Sequence, residues 1–283
     1  MNKSVSRREF LKTSGGVALF IGVSGILPQM ISCKSKKEVQ GIIQKHPLTA
    51  WVQLTDDGRV IIYNPAAELG QGSMTSLPAI FAEEMDADWS TVSVEFSPQV
   101  SAIYGSDKWS PNNKVMLTAG SRITYGYYSI MRQAGAQARY ILMHSAAELW
   151  KTPLEGLSTA NGRIMDNQAG RSISYGELVP HLTMPDKLPE FSEPDFKDPK
   201  NYRFIGIDQP RVDIPEKVKG TTRFAIDIKL PEMLFGVLER GKVHGASPKL
   251  NNESEILALE GVLKLVRFDY AIGIITETIE QAL

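Results

Sequence analysis

The stretch AAELGQGSMTSLPAIFAEEM, from Ala66 to Met85, places two glycines around a glutamine immediately before an apolar helical pattern. Glycine costs backbone entropy, but it lets N–H groups approach a ligand closely and permits positive φ. A helix start adds unpaired N–H donors and a partial positive charge. Gln71 contributes both an amide donor and an acceptor. Gly70-Gln71-Gly72 therefore suits an anionic or oxo-rich ligand. LTAGSRITYG, from Leu117 to Gly126, has the same character, with the hydroxyls of Thr118, Ser121 and Thr124 around the small Ala119 and Gly120. Either loop alone is more often a tight turn than a ligand site; the two together are better evidence of a ligand.

The elements around these loops follow from pattern. AWVQLTDDGRVIIYNP alternates apolar and polar residues on both sides of Asp56-Asp57-Gly58 and predicts a hairpin. GSMTSLPAIFAEEM predicts a helix capped by Ser73 or Thr75, and STVSVEFSP a strand. The segment 97–117 is irregular. A second helix is expected from Tyr128 to Trp150, with Ala134, Gly135, Ala136 and Ala138 allowing close packing. A hairpin around Asp166-Asn167 and a short helix opening near Ser174 come next. Residues 183–216 carry six of the 16 prolines and read as an extended strap or linker. From Lys217 onward a pair of strands joined by Leu230-Pro231-Glu232 is expected. The chain then stops at Leu283 within a strand-to-helix transition, which reads as a truncated domain.

Bulk properties narrow the functional classes. In 283 residues, Lys plus Arg number 31 and Asp plus Glu 32, for a net charge of −1, which gives no sign of a nucleic-acid partner. Cys33 is the single cysteine, so a disulfide framework, a Cys-rich zinc site and an iron–sulfur cluster are excluded within these residues.

The N-terminal SRREFLKTSGGVALFIGVSGILPQMISC carries Arg7-Arg8 before Phe-Leu-Lys and a short, glycine-broken apolar run. This is the pattern of a twin-arginine export signal over residues 1–33. Cys33 is either a lipidated lipoprotein cysteine or a stray residue of a discarded peptide. Residues 34–47 read as a tether. The protein is expected outside the cytoplasm, periplasmic or membrane-anchored.

AAELGQGSMTSLPAIFAEEMDADWSTVSVEFSP, TAGSRITYGYYSIMRQAGAQARYILMHSAAELW, SYGEL and IGIDQPRVDIPEKVKGTTRFAIDIKLPEMLFGVLERG together resemble the molybdopterin-binding subunit of the xanthine oxidase family. The resemblance is to the exported branch of isoquinoline 1-oxidoreductase beta subunits and periplasmic aldehyde dehydrogenases. It implies an α+β fold, with mixed sheets and packed helices over residues 48–182, the 183–216 connector, and an α/β hammerhead-like domain over 217–283. It also implies a molybdopterin cytosine dinucleotide whose molybdenum end lies beside Gln71, flanked by Gly70 and Gly72. The second loop, Thr118, Ala119, Gly120 and Ser121, would bind the pterin or its phosphates. The implied chemistry inserts water-derived oxygen into a C–H bond of an N-heterocycle or aldehyde. Electrons would pass to a small 2Fe-2S subunit and on to a cytochrome or membrane acceptor.

The family's base is a glutamate far downstream, and no residue here stands in its context, so none is assigned as catalytic, and these 283 residues alone are expected to form an incomplete cofactor site and to be inactive. Glu83 and Glu84 read as an ordinary polar helix face. His144 is expected to be packed or half exposed rather than a metal ligand, and His181 and His244 to lie in loops. Trp51, Trp89, Trp109 and Trp150 are expected to be core anchors, with Trp109 and Tyr104 as alternative linings of a substrate funnel. The competing functional reading is a non-catalytic exported lipoprotein with a cofactor-binding, assembly or ligand-binding role.

Overall fold

The computed structural model describes residues 5–6, 45–110 and 112–283. Arg7, Arg8 and Cys33, on which the export and lipidation readings rest, lie outside the described residues. Two compact units divide at Val218 and Lys219. Both mix helices with antiparallel or mixed sheets, an α+β architecture.

In the first unit β1 (Val5–Ser6) pairs with a two-residue strand described below. β2 (Lys45–Thr49), β3 (Val52–Thr55), β4 (Val60–Asn64) and β5 (Val92–Phe96) form a sheet in that order. β2 takes in the last three residues of the segment read as a tether. The β3–β4 hairpin closes on Asp56-Asp57-Gly58, where Gly58 has φ +83° and its N–H donates to the Thr55 carbonyl. β4 and β5 run parallel, and the crossover between them contains helix α1 (Ser73–Met85).

Helix α1 packs against α2 (Ile123–Trp150), which begins five residues earlier than its periodicity indicates. The crossing is close: a Cβ on Gly135 would lie 2.4 Å from the Phe81 carbonyl oxygen. Ala134 and Ala138 join the core cluster on the same helix, and Ala136 is buried as well. Leu54, Ile62, Leu77, Phe81, Met85, Tyr127, Met131, Ile141 and Leu142 fill the core between sheet and helices.

β6 (Leu157–Ala160), β7 (Arg163–Asp166) and β8 (Arg171–Ser174) form a separate meander. Its β6–β7 turn is Asn161-Gly162, both left-handed, the Asn-Gly signal of a tight hairpin, one turn before the expected Asp166-Asn167. Asp166 closes the β7–β8 turn by accepting from the N–H groups of Gln168 and Ala169. Short helix α3 (Tyr175–Leu178) starts on a Ser174/Glu177 capping box. β9 (Lys187–Leu188) is the partner of β1.

In the second unit β10 (Phe235–Arg240), β11 (Val262–Arg267) and β12 (Ala271–Thr276) form an antiparallel sheet with β12 in the centre. The expected strand before Leu230-Pro231-Glu232 does not form. Residues 221–230 contain only a single 3₁₀ turn at Ala225–Asp227, because β10 takes β12 as its partner. Among the described residues, no helix is long and apolar enough to cross a membrane.

Candidate functional site

The Gly-Gln-Gly loop joins β4 to α1. Gly70 has φ +99° and Gly72 φ +85°, and a Cβ on Gly70 would meet nothing within 4 Å. A side chain would be strained at both positions, and the outer face of Gly70 is open. The helix N-cap is Gly72, with no side-chain bond of its own, which corrects the expectation of Ser73 or Thr75. Both hydroxyls are committed elsewhere: Ser73 Oγ donates to the Ala67 carbonyl at 3.1 Å, and Thr75 Oγ1 accepts from the N–H of Val212 at 3.0 Å.

Glu68 takes the capping role. Its Oε1 accepts from the N–H groups of Gly70 (2.8 Å) and Gly72 (3.0 Å), and its Oε2 from that of Met74 (3.0 Å). Burial pushes its pKa up, but these three N–H groups outweigh that and hold the carboxyl below its ordinary value. The anion-seeking donors at the start of α1 are thus already filled by a residue of the chain. The Gln71 side chain is exposed but folds back on the loop's own backbone. Its Oε1 accepts from the N–H of Leu69 (2.6 Å), and its Nε2 donates to the Ala67 carbonyl (2.7 Å).

The second loop lies against the first. The N–H of Ala67 donates to Thr118 Oγ1 at 3.0 Å, a bond across 51 residues of sequence. Gly120 (φ +61°) and Ser121 (φ +55°) are both left-handed and exposed. For serine this backbone is uncommon and costs energy. The helix that follows, α2, has no side-chain cap on its first turn. Thr118, Ala119, Gly120 and Ser121 therefore sit at a helix N-terminus whose donors no side chain caps, and meet the first loop at Ala67. That donor set fits an anionic, oxygen-rich cofactor at the second loop. At the first loop the fit is one of space rather than of free donors.

Glu83 and Glu84 do not form a polar helix face: both are fully buried. Eleven of the 13 residues of α1 are buried, so its last turn has no solvent side. Their charges are met by the strap that follows α3. Lys197 Nζ donates to Glu83 (2.8 Å) and to Asp86 (2.7 Å), and its backbone N–H to Glu84 (3.0 Å). Glu83 Oε2 also accepts from the consecutive N–H groups of Arg203, Phe204 and Ile205. Arg132, buried on α2, donates to Glu84 at 2.7 Å and lies 4.3 Å over the Phe196 ring.

Tyr104 does not line a funnel. It is 5% exposed, donates to the Ala50 carbonyl at 2.6 Å and meets Trp51 edge-on. Trp109 covers Gly126, where a Cβ would lie 2.3 Å from its ring, and meets the buried Tyr127. Trp51, Trp89 and Trp150 are likewise half-buried against the core. His144 is half-buried and stacked on Tyr140; His181 and His244 are exposed. Among the described residues no cluster of three or more His, Cys, Asp or Glu side chains is arranged to hold a metal directly.

The first α+β unit thus seats two glycine-bearing loops, bonded together, at the starts of two packed helices. Residues 3–218 match the family model of the molybdopterin cofactor-binding domain, and the chain belongs to that family. The match ends at the last residue of the first unit. The chain is 32% identical to the beta subunit of isoquinoline 1-oxidoreductase from Brevundimonas diminuta, over 96% of its own length and 38% of that protein's. It is 30% identical to a nicotinate dehydrogenase subunit of Pseudomonas putida, over 100% of its length and 23% of that protein's. A membrane-bound aldehyde dehydrogenase (pyrroloquinoline-quinone) of Gluconacetobacter polyoxogenes is 28% identical over 94% of this chain and 33% of its own. The chain thus spans between 23% and 38% of the length of these relatives.

Proposed function

We propose that these residues supply part of the molybdopterin site of a molybdenum hydroxylase or dehydrogenase large subunit acting on an N-heterocycle or aldehyde. The observation that carries the reading is the Ala67–Thr118 hydrogen bond, which joins the two loops into one surface. Thr118 and Ser121, with the N–H groups of Gly120 and of the first turn of α2, hold the anionic part of the cofactor. Gly70 leaves room for its ring system, and Gln71 keeps that room open by bracing the loop's backbone at Ala67 and Leu69. When bound, the molybdenum centre supplies oxygen transfer from water to carbon and accepts the two electrons released. No proton-accepting residue is assigned within this chain.

The cytosine dinucleotide form, the small 2Fe-2S partner and a cytochrome or membrane acceptor belong to the same proposal. So do twin-arginine export through Arg7 and Arg8, residence in the periplasm or as a lipoprotein on Cys33, and the hammerhead-like reading of residues 217–283. The relatives' names support the substrate class, since they speak of isoquinoline, nicotinate and aldehyde.

The test is the metal and pterin content of the protein recovered from its source cells. Stoichiometric molybdenum, with cytidine monophosphate released on mild acid hydrolysis, is expected in the wild type. Thr118→Val and Gly70→Val should each lower the content several-fold. Wild-type protein without molybdenum, or variants that retain all of it, would defeat the reading.

A further inference from the structure

The Gly-Gln-Gly loop is held from outside as well as from within. Arg211 reaches it from a position 141 residues away, donating through Nη1 to the Gly70 carbonyl at 2.9 Å. Its Nη2 lies 3.4 Å from Glu68 Oε1, the oxygen that already takes the N–H groups of Gly70 and Gly72. One guanidinium therefore touches both the glycine whose outer face is open and the carboxylate that shapes its backbone.

Arg211 is itself fixed. Its Nε and Nη2 donate to the two oxygens of Asp213, at 3.0 and 2.6 Å, in a bidentate fork. Lys217, one turn on, pairs with the same Asp213 carboxylate. The adjacent Val212 N–H is pinned to Thr75 Oγ1 inside the first turns of α1. The hydrogen bond from Arg211 holds the Asp213 carboxyl well below its ordinary range, with Lys217 adding to the effect, so the fork stays charged at any physiological pH. Arg211 is about a third exposed, whereas the Glu68 side chain is 5% exposed. The latch thus sits at the rim of the loop rather than in the core.

We propose that Arg211, braced by Asp213 and Lys217, is a positioning residue that latches the Gly70-Gln71-Gly72 loop in its cofactor-accepting shape. Arg211 is assigned no contact with substrate; it acts through the Gly70 carbonyl and Glu68. The link to cofactor retention rests on the molybdopterin reading above, but the latch itself does not. Guanidinium geometry is essential, because a lysine ammonium is a point charge that cannot hold the Asp213 fork and the Gly70 carbonyl together.

Hydrogen exchange separates the two. It is measured by mass spectrometry on wild type, Arg211→Ala, Arg211→Lys and the control Arg59→Ala, produced in a host that makes no molybdopterin. In Arg211→Ala, exchange across residues 66–76 should quicken about tenfold or more, as expected for loss of a charge-assisted hydrogen bond. Exchange across residues 79–87, at the other end of α1, should not change, and Arg211→Lys should recover less than half of the lost protection. The same variants recovered from source cells should carry several-fold less molybdenum than wild type. Unchanged exchange at residues 66–76 in Arg211→Ala overturns the latch, as does acceleration spread equally over 79–87, which would signal general loosening. Faster loop exchange with full molybdenum content overturns its link to the cofactor. Wild type without molybdenum defeats the cofactor reading, and the exchange at 66–76 then decides the latch alone.

Discussion

At the C-terminal end of α1 the Glu83 carboxylate collects three backbone N–H groups, and near its N-terminal end the Glu68 carboxylate collects three more. The donors to Glu83 stand 120 to 122 residues away, on the strap, whereas those to Glu68 lie within six residues of it. Glu83 also binds the Lys197 ammonium, while Glu68 has longer contacts, to the Arg211 guanidinium and the Ser73 hydroxyl. The same chemical motif therefore does two jobs. A glutamate with distant donors ties the tertiary structure, and one with local donors shapes a loop and leaves the rest of the molecule free. The strap serves both ends, bringing Lys197 and Arg203 to one and Arg211 to the other.

The largest effect should come from Glu83→Ala. It strands three N–H groups and leaves the Lys197 ammonium with Asp86 alone, in a core where the glutamate is 0% exposed. Breaking a buried, hydrogen-bonded pair from one side costs roughly 3–5 kcal/mol, so calorimetry should show Tm falling by about 10 °C. A fall no greater than that for Glu68→Gln would break the distinction between the two ends. Gly135→Ala comes next. It adds a methyl 2.4 Å from the Phe81 carbonyl oxygen, a backbone atom that cannot swing aside. Forcing α1 and α2 apart should cost about 1–3 kcal/mol by denaturant titration, and it should leave loop exchange at residues 66–76 unaltered.

Glu68→Gln should cost about 1 kcal/mol, the usual worth of a helix cap, and its signature should be local. Because its pKa is held down in the folded state, Glu68 contributes its full stabilisation at pH values above the unfolded carboxyl value, roughly 4.3. That contribution is lost as the pH falls through the lower, folded value. Wild type and variant should thus differ in loop exchange and stability near neutrality and converge in acid. A difference that persists undiminished in strong acid would show that the loop is held by something other than the Glu68 charge.

The contrast also explains what could be read from the residues alone. Helix α1 between its flanking strands, the Asp56-Asp57-Gly58 hairpin and the helix opening at Ser174 are decided by neighbours within a few positions, and pattern finds them. The two glycine loops were legible for the same reason, since each carries its own left-handed turn. Their contact was not, because Ala67 and Thr118 meet only through the packing of α1 on α2. Glu83 and Glu84 misled because a charged pair near a helix end looks solvated until the strap is placed over it. Arg211 carried no local signal at all: its partners at Gly70 and Glu68 lie more than 140 positions away. Glu68 could have been found, since an acidic residue shortly before a helix with a glycine N-cap is the side chain best placed to fill its donors.

Glu177 marks the lower end of the series. It takes one backbone N–H, from Ser174 at 2.8 Å, together with the Ser174 hydroxyl, and its side chain is 64% exposed. Glutamine serves this capping-box position nearly as well as glutamate, and the ion pair with Arg163 is long, at 3.8 Å, and open to solvent. Glu177→Gln should therefore shift Tm by less than about 2 °C, within the range of a neutral surface change. With Glu83→Ala and Glu68→Gln it forms a graded set in which burial and the sequence distance to the donors rise together. If Glu177→Gln cost as much as Glu68→Gln, capping alone would account for both, and Glu68 would owe nothing to its contact with Arg211. If it cost far less, the difference would measure what the enclosed loop and the latch add to an ordinary cap.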